Sequence, residues 1–170
     1  MLRILKPNYQ ECTVNGNVVD SQIILDNKLF HGDLLNDDLS LFSSDKEKML
    51  LGGFIKFKNV FKFGVNKKGD ELFEFEPINW RYPKFLVASK IKKNLLKKKE
   101  KVEDYFIVIQ FKEWKNKLPI GIIHHVIGPI NNIINQYEIV LYYYGKFNFS
   151  NTKSDIELND NFELKQESDI

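Results

Sequence analysis

The sequence predicts a mainly β protein, and three features carry that prediction. Fourteen Phe and seven Tyr, with many Ile and Val, are residue types that fit a pleated, half-buried surface. Residues 71–76 alternate acid and apolar through Glu71, Leu72, Phe73, Glu74, Phe75 and Glu76, the period of two of a strand with one buried face. Asn15-Gly16 separates two β-prone runs, and a two-residue Asn-Gly loop marks a hairpin because both central positions need positive φ.

The elements follow in order. Residues 11–14 and 17–20 are the arms of that hairpin. Residues 21–25 read as another extended segment, ended by Asp26-Asn27, and residues 29–35 as the next. Residues 36–48 are polar and acidic and read as a loop or a short helix, with Ser44 and Glu47 at capping-box spacing. The domain boundary is expected here. In residues 54–63, Phe54, Phe57, Val60, Phe61 and Phe63 stand among Lys56, Lys58 and Lys62, which suggests a strand. Gly64 to Gly69 is a turn carrying Asn66, Lys67 and Lys68. Residues 85–88 form a short strand after Pro83, and residues 90–101 form a lysine-rich spacer. Residues 105–111 are nearly all apolar and fit a central strand, and residues 120–127 are extended. Ile133, Ile134, Tyr137, Ile139, Val140, Leu141 and Tyr144 are spaced as in a helix. Residues 151–170 hold six acids against two Lys with little apolar content, which predicts a mobile acidic tail.

Net charge is +2 and by itself implies no partner, but its distribution is uneven. Residues 84–101 carry eight Lys against one Glu, a basic surface ahead of the acidic tail. Cys12 is the one cysteine, so no disulfide forms within the chain. That fits the cytoplasm or another reducing intracellular compartment. Cys12 sits in a strand-like run and reads as a packed thiol rather than a reactive one. The N-terminus MLRILKPNYQ lacks the apolar stretch of a signal peptide. No run approaches the roughly 18 apolar residues of a membrane span, so no membrane partner is expected.

Four short motifs follow one another in the second half. They are Arg81-Tyr82-Pro83, then Val108-Ile109-Gln110-Phe111-Lys112-Glu113-Trp114, then Pro119-Ile120-Gly121, and a turn from Gly128 to Asn131. Upstream, Asp26-Asn27 is followed by Gly32-Asp33. In this order they resemble the cold-shock-like (OB-fold) domains of the ribonuclease II/ribonuclease R (RNB) exoribonuclease superfamily, over roughly residues 10–150. The resemblance implies two small OB-like, cold-shock-type β-barrels. The first, shortened, spans 1–50. The second spans 51–150 and ends in a helix, and the tail 151–170 follows. It also implies a module that guides single-stranded RNA. The superfamily cuts RNA from the 3′ end with magnesium held by clustered aspartates in a downstream catalytic domain. This sequence ends about where that domain would begin, and Asp37-Asp38 is its only paired Asp. The expectation is therefore no catalytic residue, no resident metal and no cofactor, with magnesium entering only if a catalytic domain is supplied in trans. The alternative is a protein-interaction subunit that docks on a separately encoded ribonuclease catalytic chain.

Candidate nucleic-acid contacts are Lys62, Lys67, Lys68, Trp80, Arg81, Tyr82, Lys84, Lys90, Lys92 and Lys93. Lysines displace counterions from a phosphate backbone and give sequence-independent, salt-sensitive affinity. OB-folds stack bases on aromatic faces beside such a groove. The lysines also fit a solvated loop, and most of the phenylalanines fit the core. Trp80 and Tyr82 flank a charge and precede Pro83, so they are the better surface candidates. Arg81 fits either a nucleic-acid contact or a strap between barrels, and Trp114 fits packing. His124 and His125 are adjacent in a strand and point to opposite faces, so they do not share an ion. No phosphate-binding glycine loop, dinucleotide motif or Ser-His-Asp order is present.

Overall fold

A computed structural model of the protein describes residues 1–58 and 63–144. The first part holds β1 (Leu2–Ile4), β2 (Cys12–Val14), β3 (Asn17–Val19), α1 (Ser21–Asp26), β4 (Leu34–Leu35) and β5 (Leu41–Ser43). The second holds β6 (Leu50–Ile55), β7 (Leu72–Pro77), β8 (Phe85–Ala88), α2 (Ile91–Lys97), β9 (Tyr105–Glu113), β10 (Ile120–Pro129) and α3 (Ile133–Tyr143).

The second half closes on itself in the order β10-β8-β7-β6-β9, with β10 returning to pair with β9. Only the β10–β8 pair is parallel. Five strands with this order and a helix between the third and fourth form the OB barrel that the resemblance implies. The interior follows from the period of two. Ile55, Phe73, Phe75, Phe85, Val87, Ile107 and Ile109 face inward and are buried, while Glu74 and Glu76 of β7 face out. α3 lies across the outside of β6, β9 and β10. Gly52 permits that approach: a Cβ there would stand 2.9 Å from both the Ile139 and Tyr142 side chains.

The first half departs from the expected barrel. β1, β2 and β3 form an open three-stranded antiparallel sheet, and β4 pairs only with β5. Strands of two or three residues are too short to tilt and stagger into closure. They bury a small core of their own instead, made by Leu2, Ile4, Tyr9, Cys12, Val14, Ile24 and Leu29. The hairpin forms as expected, with φ of 52° at Asn15 and 87° at Gly16. Cys12 is the packed thiol expected of it, and burial raises its pKa.

Two segments read as extended or as spacer are helices. Residues 21–26 form α1 because Asp20 caps it, its carboxylate accepting from Gln22 N at 2.8 Å. The lysine-rich spacer contains α2, whose Leu95 is buried, and Ser89 Oγ accepts from Ile91 N at 3.2 Å. Ser44 and Glu47 make no helical capping box. Ser44 Oγ accepts from Lys46 N and donates to Asp33, and a 3-10 turn (Lys46–Lys48) follows. The strand expected over 54–63 ends at Ile55, and its residues 59–62 lie outside the described residues, as does the tail 151–170.

The two halves meet at Phe30. This ring leaves the first half and enters the barrel core, stacking on Phe85 at 6.0 Å and meeting Phe111 edge-on at 5.3 Å. Lys28 Nζ also donates to the Lys115 carbonyl at 2.8 Å.

Candidate nucleic-acid interface

The candidate contacts divide into two groups along the β7–β8 hairpin. Six strand residues span about 20 Å, and each group sits near one end. Trp80, Arg81 and Tyr82 lie in the connection from β7 to β8. Asn79 shapes it, its side chain accepting from Arg81 N at 3.2 Å and its carbonyl from Tyr82 N at 3.1 Å. Trp80 is 39% exposed, and the Arg81 guanidinium lies 4.9 Å from its ring. Arg81 Nε is buried with no hydrogen-bond partner among the described residues. Tyr82 instead packs on Phe30 at 6.1 Å, and burial together with Asp33 raises its pKa. The strap between halves that was one of the two roles open to Arg81 is thus made by its neighbour Tyr82, while the Trp80 ring lies partly exposed.

Lys67, Lys68, Lys90, Lys92 and Lys93 gather at the other end. Lys67 and Lys68 are exposed in a turn that the Asn66 carboxamide closes by accepting from Lys68 N and Asp70 N. Lys90 pairs loosely with Asp70 at 3.6 Å. Lys92 lies on α2 with its amine 5.7 Å from the Phe73 ring. Lys93 and Lys90 line a groove beside Gly69 and Glu71. Lys62 lies outside the described residues.

Lys84 occupies the outer face between the groups and is neutralised there. Its amine is 3.0 Å from Glu74 and 3.7 Å from Glu76, and Lys56 reaches both carboxylates as well. The Glu76 hydrogen bond raises the Lys56 pKa. Partial burial works to raise the Glu76 carboxyl, but Lys56 and Lys84 together hold it below its ordinary value. Two lysines against two glutamates leave the mid-face without net charge.

Sequence reasoning missed the loop from β9 to β10. Lys112, Lys115 and Lys117 surround Glu113 and Trp114 there. A hydrogen bond from Lys115 lowers the Glu113 pKa, with further contributions from Lys112 and Lys67. This loop lies at the Arg81 end of the hairpin, since Ile120 pairs with both Leu86 and Glu113, and the Lys67 turn lies at the other end. The strand 2–3 face flanked by these two loops is where OB barrels hold oligonucleotides. The signal was present in Lys115-Asn116-Lys117, just ahead of Pro119.

Residues 72–145 match the Dis3-like cold-shock domain 2 (CSD2). The match takes in β7 to β10, α2, α3 and the candidate contacts from Trp80 to Lys93, and the second half thus bears the expected likeness to the OB region of the RNB exoribonuclease superfamily. The structure of yeast Ssd1, a pseudonuclease, is similar at 15% identity and a TM-score of 0.41. That similarity covers 61% of this chain and 12% of Ssd1. No curated protein matches the sequence. Among the described residues, no group of three or more His, Cys, Asp or Glu side chains could hold a metal ion.

Proposed function

We propose that this chain binds single-stranded RNA as the substrate-guiding module of an RNB-type 3′–5′ exoribonuclease and does not cut RNA by itself. The observation that carries the reading is the gathering of Lys67, Lys68, Lys90, Lys92 and Lys93 at one end of the β7–β8 hairpin, with Trp80 exposed at the other, in a barrel matching the Dis3-like CSD2. The strand would stack a base on Trp80, pass Arg81, cross the neutral mid-face and leave over Lys67, Lys68, Lys90, Lys92 and Lys93. The roughly 20 Å between the groups is compatible with the smaller OB site sizes, which run from about 4 to 16 nucleotides per fold. Phosphate contacts supply affinity, and aromatic stacking adds about 1–3 kcal/mol per base without sequence preference.

Arg81→Ala combined with Lys92→Ala and Lys93→Ala tests the surface, with a labelled single-stranded RNA followed by anisotropy. The reading expects weaker binding, a shallower salt dependence and an unchanged circular dichroism spectrum. Unchanged affinity would refute this path for the strand.

A second reading is that the chain docks on a separately encoded ribonuclease catalytic chain, and α3 favours it. Ile133, Ile134, Tyr137, Val140 and Leu141 lie exposed on that helix, and Tyr144 just past its end. Contiguous apolar surface of this kind marks interaction sites. Copurification with such a chain, lost in Tyr137→Glu, is the corresponding test.

A further inference from the structure

We propose that the chain associates head to tail with a second copy of itself, the β4–β5 ribbon of one copy docking in the groove beside α2 of the next. The proposal goes beyond the RNA reading and does not depend on it. The ribbon is a small apolar surface on the first half. Leu35 and Leu39 pack on the N-terminal core, whereas Leu34, Leu41 and Phe42 are exposed, Phe42 at 71%. Leu34 pairs with Ser43 and Leu35 with Leu41, so Phe42 is an extra residue with no partner across the ribbon. A bulge of this kind re-aims a side chain. Hydrogen bonds close the tip, Asn36 N donating to the Ser40 carbonyl at 2.9 Å and Ser40 N to the Asp38 carboxylate at 3.0 Å.

Charge decides what covers this surface. Residues 34–45 hold Asp37, Asp38 and Asp45 and no basic residue. Asp45 shares the junction groove with Lys46 and Lys48. Asp37 and Asp38, at the tip, make no ion pair among the described residues. Two ribbons meeting across a two-fold axis would set these acids against each other, and like charges brought together disfavour a contact. The matching surface is α2. Lys93, Leu96 and Lys97 share one face of it at i, i+3 and i+4 spacing. Leu96 is 58% exposed there. With Lys90, Asp70 and Glu71 these three line a groove of about 590 Å³. Lys90 is paired with Asp70 at 3.6 Å. Lys98 and Lys99 follow at the helix end, so five lysines stand against two acids, an excess of three positive charges.

The two surfaces lie at opposite ends of the chain. The ribbon starts at the junction end of the barrel, where Ser44 donates to Asp33 and Phe30 reaches Phe85 and Phe111. α2 follows Ala88, which pairs with Leu72 at the far end of the β7–β8 hairpin. Complementary surfaces placed this way make a heterologous contact. Each copy offers its ribbon to one neighbour and its α2 groove to another, and the series closes into a ring or grows into a filament. Burial of Phe42 against Leu96 supplies the apolar part of the contact, and the opposed charges steer the approach and fix its register.

Sedimentation velocity of the full chain without RNA, over a range of protein concentrations, tests the contact. The wild type should sediment faster as concentration rises, and added salt should reduce the effect. Asp37→Lys with Asp38→Lys, and separately Lys93→Glu with Lys97→Glu, should each lose the concentration dependence. These side chains are exposed, so both variants should keep the wild-type circular dichroism spectrum. An equimolar mixture of the two should regain association, because each variant then meets opposite charge on the other. Phe42→Ser should weaken association at an unchanged melting temperature, since Phe42 belongs to neither core. A wild type that stays monomeric at every concentration overturns the proposal and leaves the ribbon to a basic segment of another protein. Association that survives in either charge variant also overturns it and moves the contact between copies elsewhere, such as to α3. A mixture that stays monomeric overturns the pairing of ribbon with α2.

Discussion

The Phe30 ring lies 5.0 Å from the Trp114 indole, centroid to centroid, with the planes 30° apart. One ring comes from the connection between α1 and β4 and the other follows the last residue of β9. Tyr82 closes the same cluster, so the arginine-containing connection proposed to meet RNA is braced against the first half. Geometry at the proposed binding surface is thus tied to a ring cluster between the two halves of the chain.

Phe30→Ala should cost about 3–5 kcal/mol, because it removes a fully buried aromatic and leaves a cavity between two cores. Urea unfolding followed by tryptophan fluorescence checks this. Loss should fall on both halves together, since the ring is shared. A cost below about 1 kcal/mol would mean that the junction contributes little.

Gly52→Ala should destabilise by roughly 1–3 kcal/mol through overpacking. The added methyl would stand 2.9 Å from Ile139 and Tyr142, and α3 must shift to admit it. Thermal denaturation measures the change. An unaltered melting temperature would show that α3 is held loosely.

Acid should weaken the first half through His31. Its Nδ1 accepts from Ile4 N at 3.0 Å, which requires the neutral ring. Burial, with Arg81 and Arg3, lowers its pKa from 6.5. A histidine with a depressed folded pKa contributes stability above the unfolded value and loses it as pH falls through the folded one. Stability should therefore decline as pH drops below about 6.5, and His31→Gln should flatten that part of the profile. A profile identical in the two proteins would contradict this role.

Removing the acids of the mid-face should strengthen RNA binding. Glu74→Gln with Glu76→Gln releases Lys56 and Lys84 toward the strand, so affinity should rise several-fold with a steeper salt dependence. Surface ion pairs of this kind contribute little to stability, so the fold should tolerate the change. Weaker binding in this variant would mean that the strand avoids the β7–β8 face.

Much of the barrel was legible because its signals are local. The alternation at 71–76 set the faces of β7, and the apolar run at 105–111 marked β9 as central. The first half was less legible because its strands are two or three residues long, so period-two patterning had almost nothing to register. Ser21 to Asp26 misled because Ile23, Ile24 and Leu25 look β-prone, while the decisive residue is the cap at Asp20. The lysines of α2 concealed a short amphipathic helix anchored by Leu95. At the site, Trp80 and the α2 lysines could be named from sequence, but the pairing of Lys84 with Glu74 and Glu76 depends on cross-strand register. The meeting of Tyr82 and Trp114 around Phe30 depends on long-range packing, which no linear pattern displays.

The central claim is salt-sensitive single-stranded RNA binding without cleavage. The most direct measurement is the affinity of the intact chain for a labelled single-stranded RNA over a range of salt concentrations with magnesium present, the RNA then being sized on a gel. The account predicts that affinity falls steeply with salt and that the RNA is recovered at full length. Salt-independent or absent binding, or shortened RNA, would contradict it.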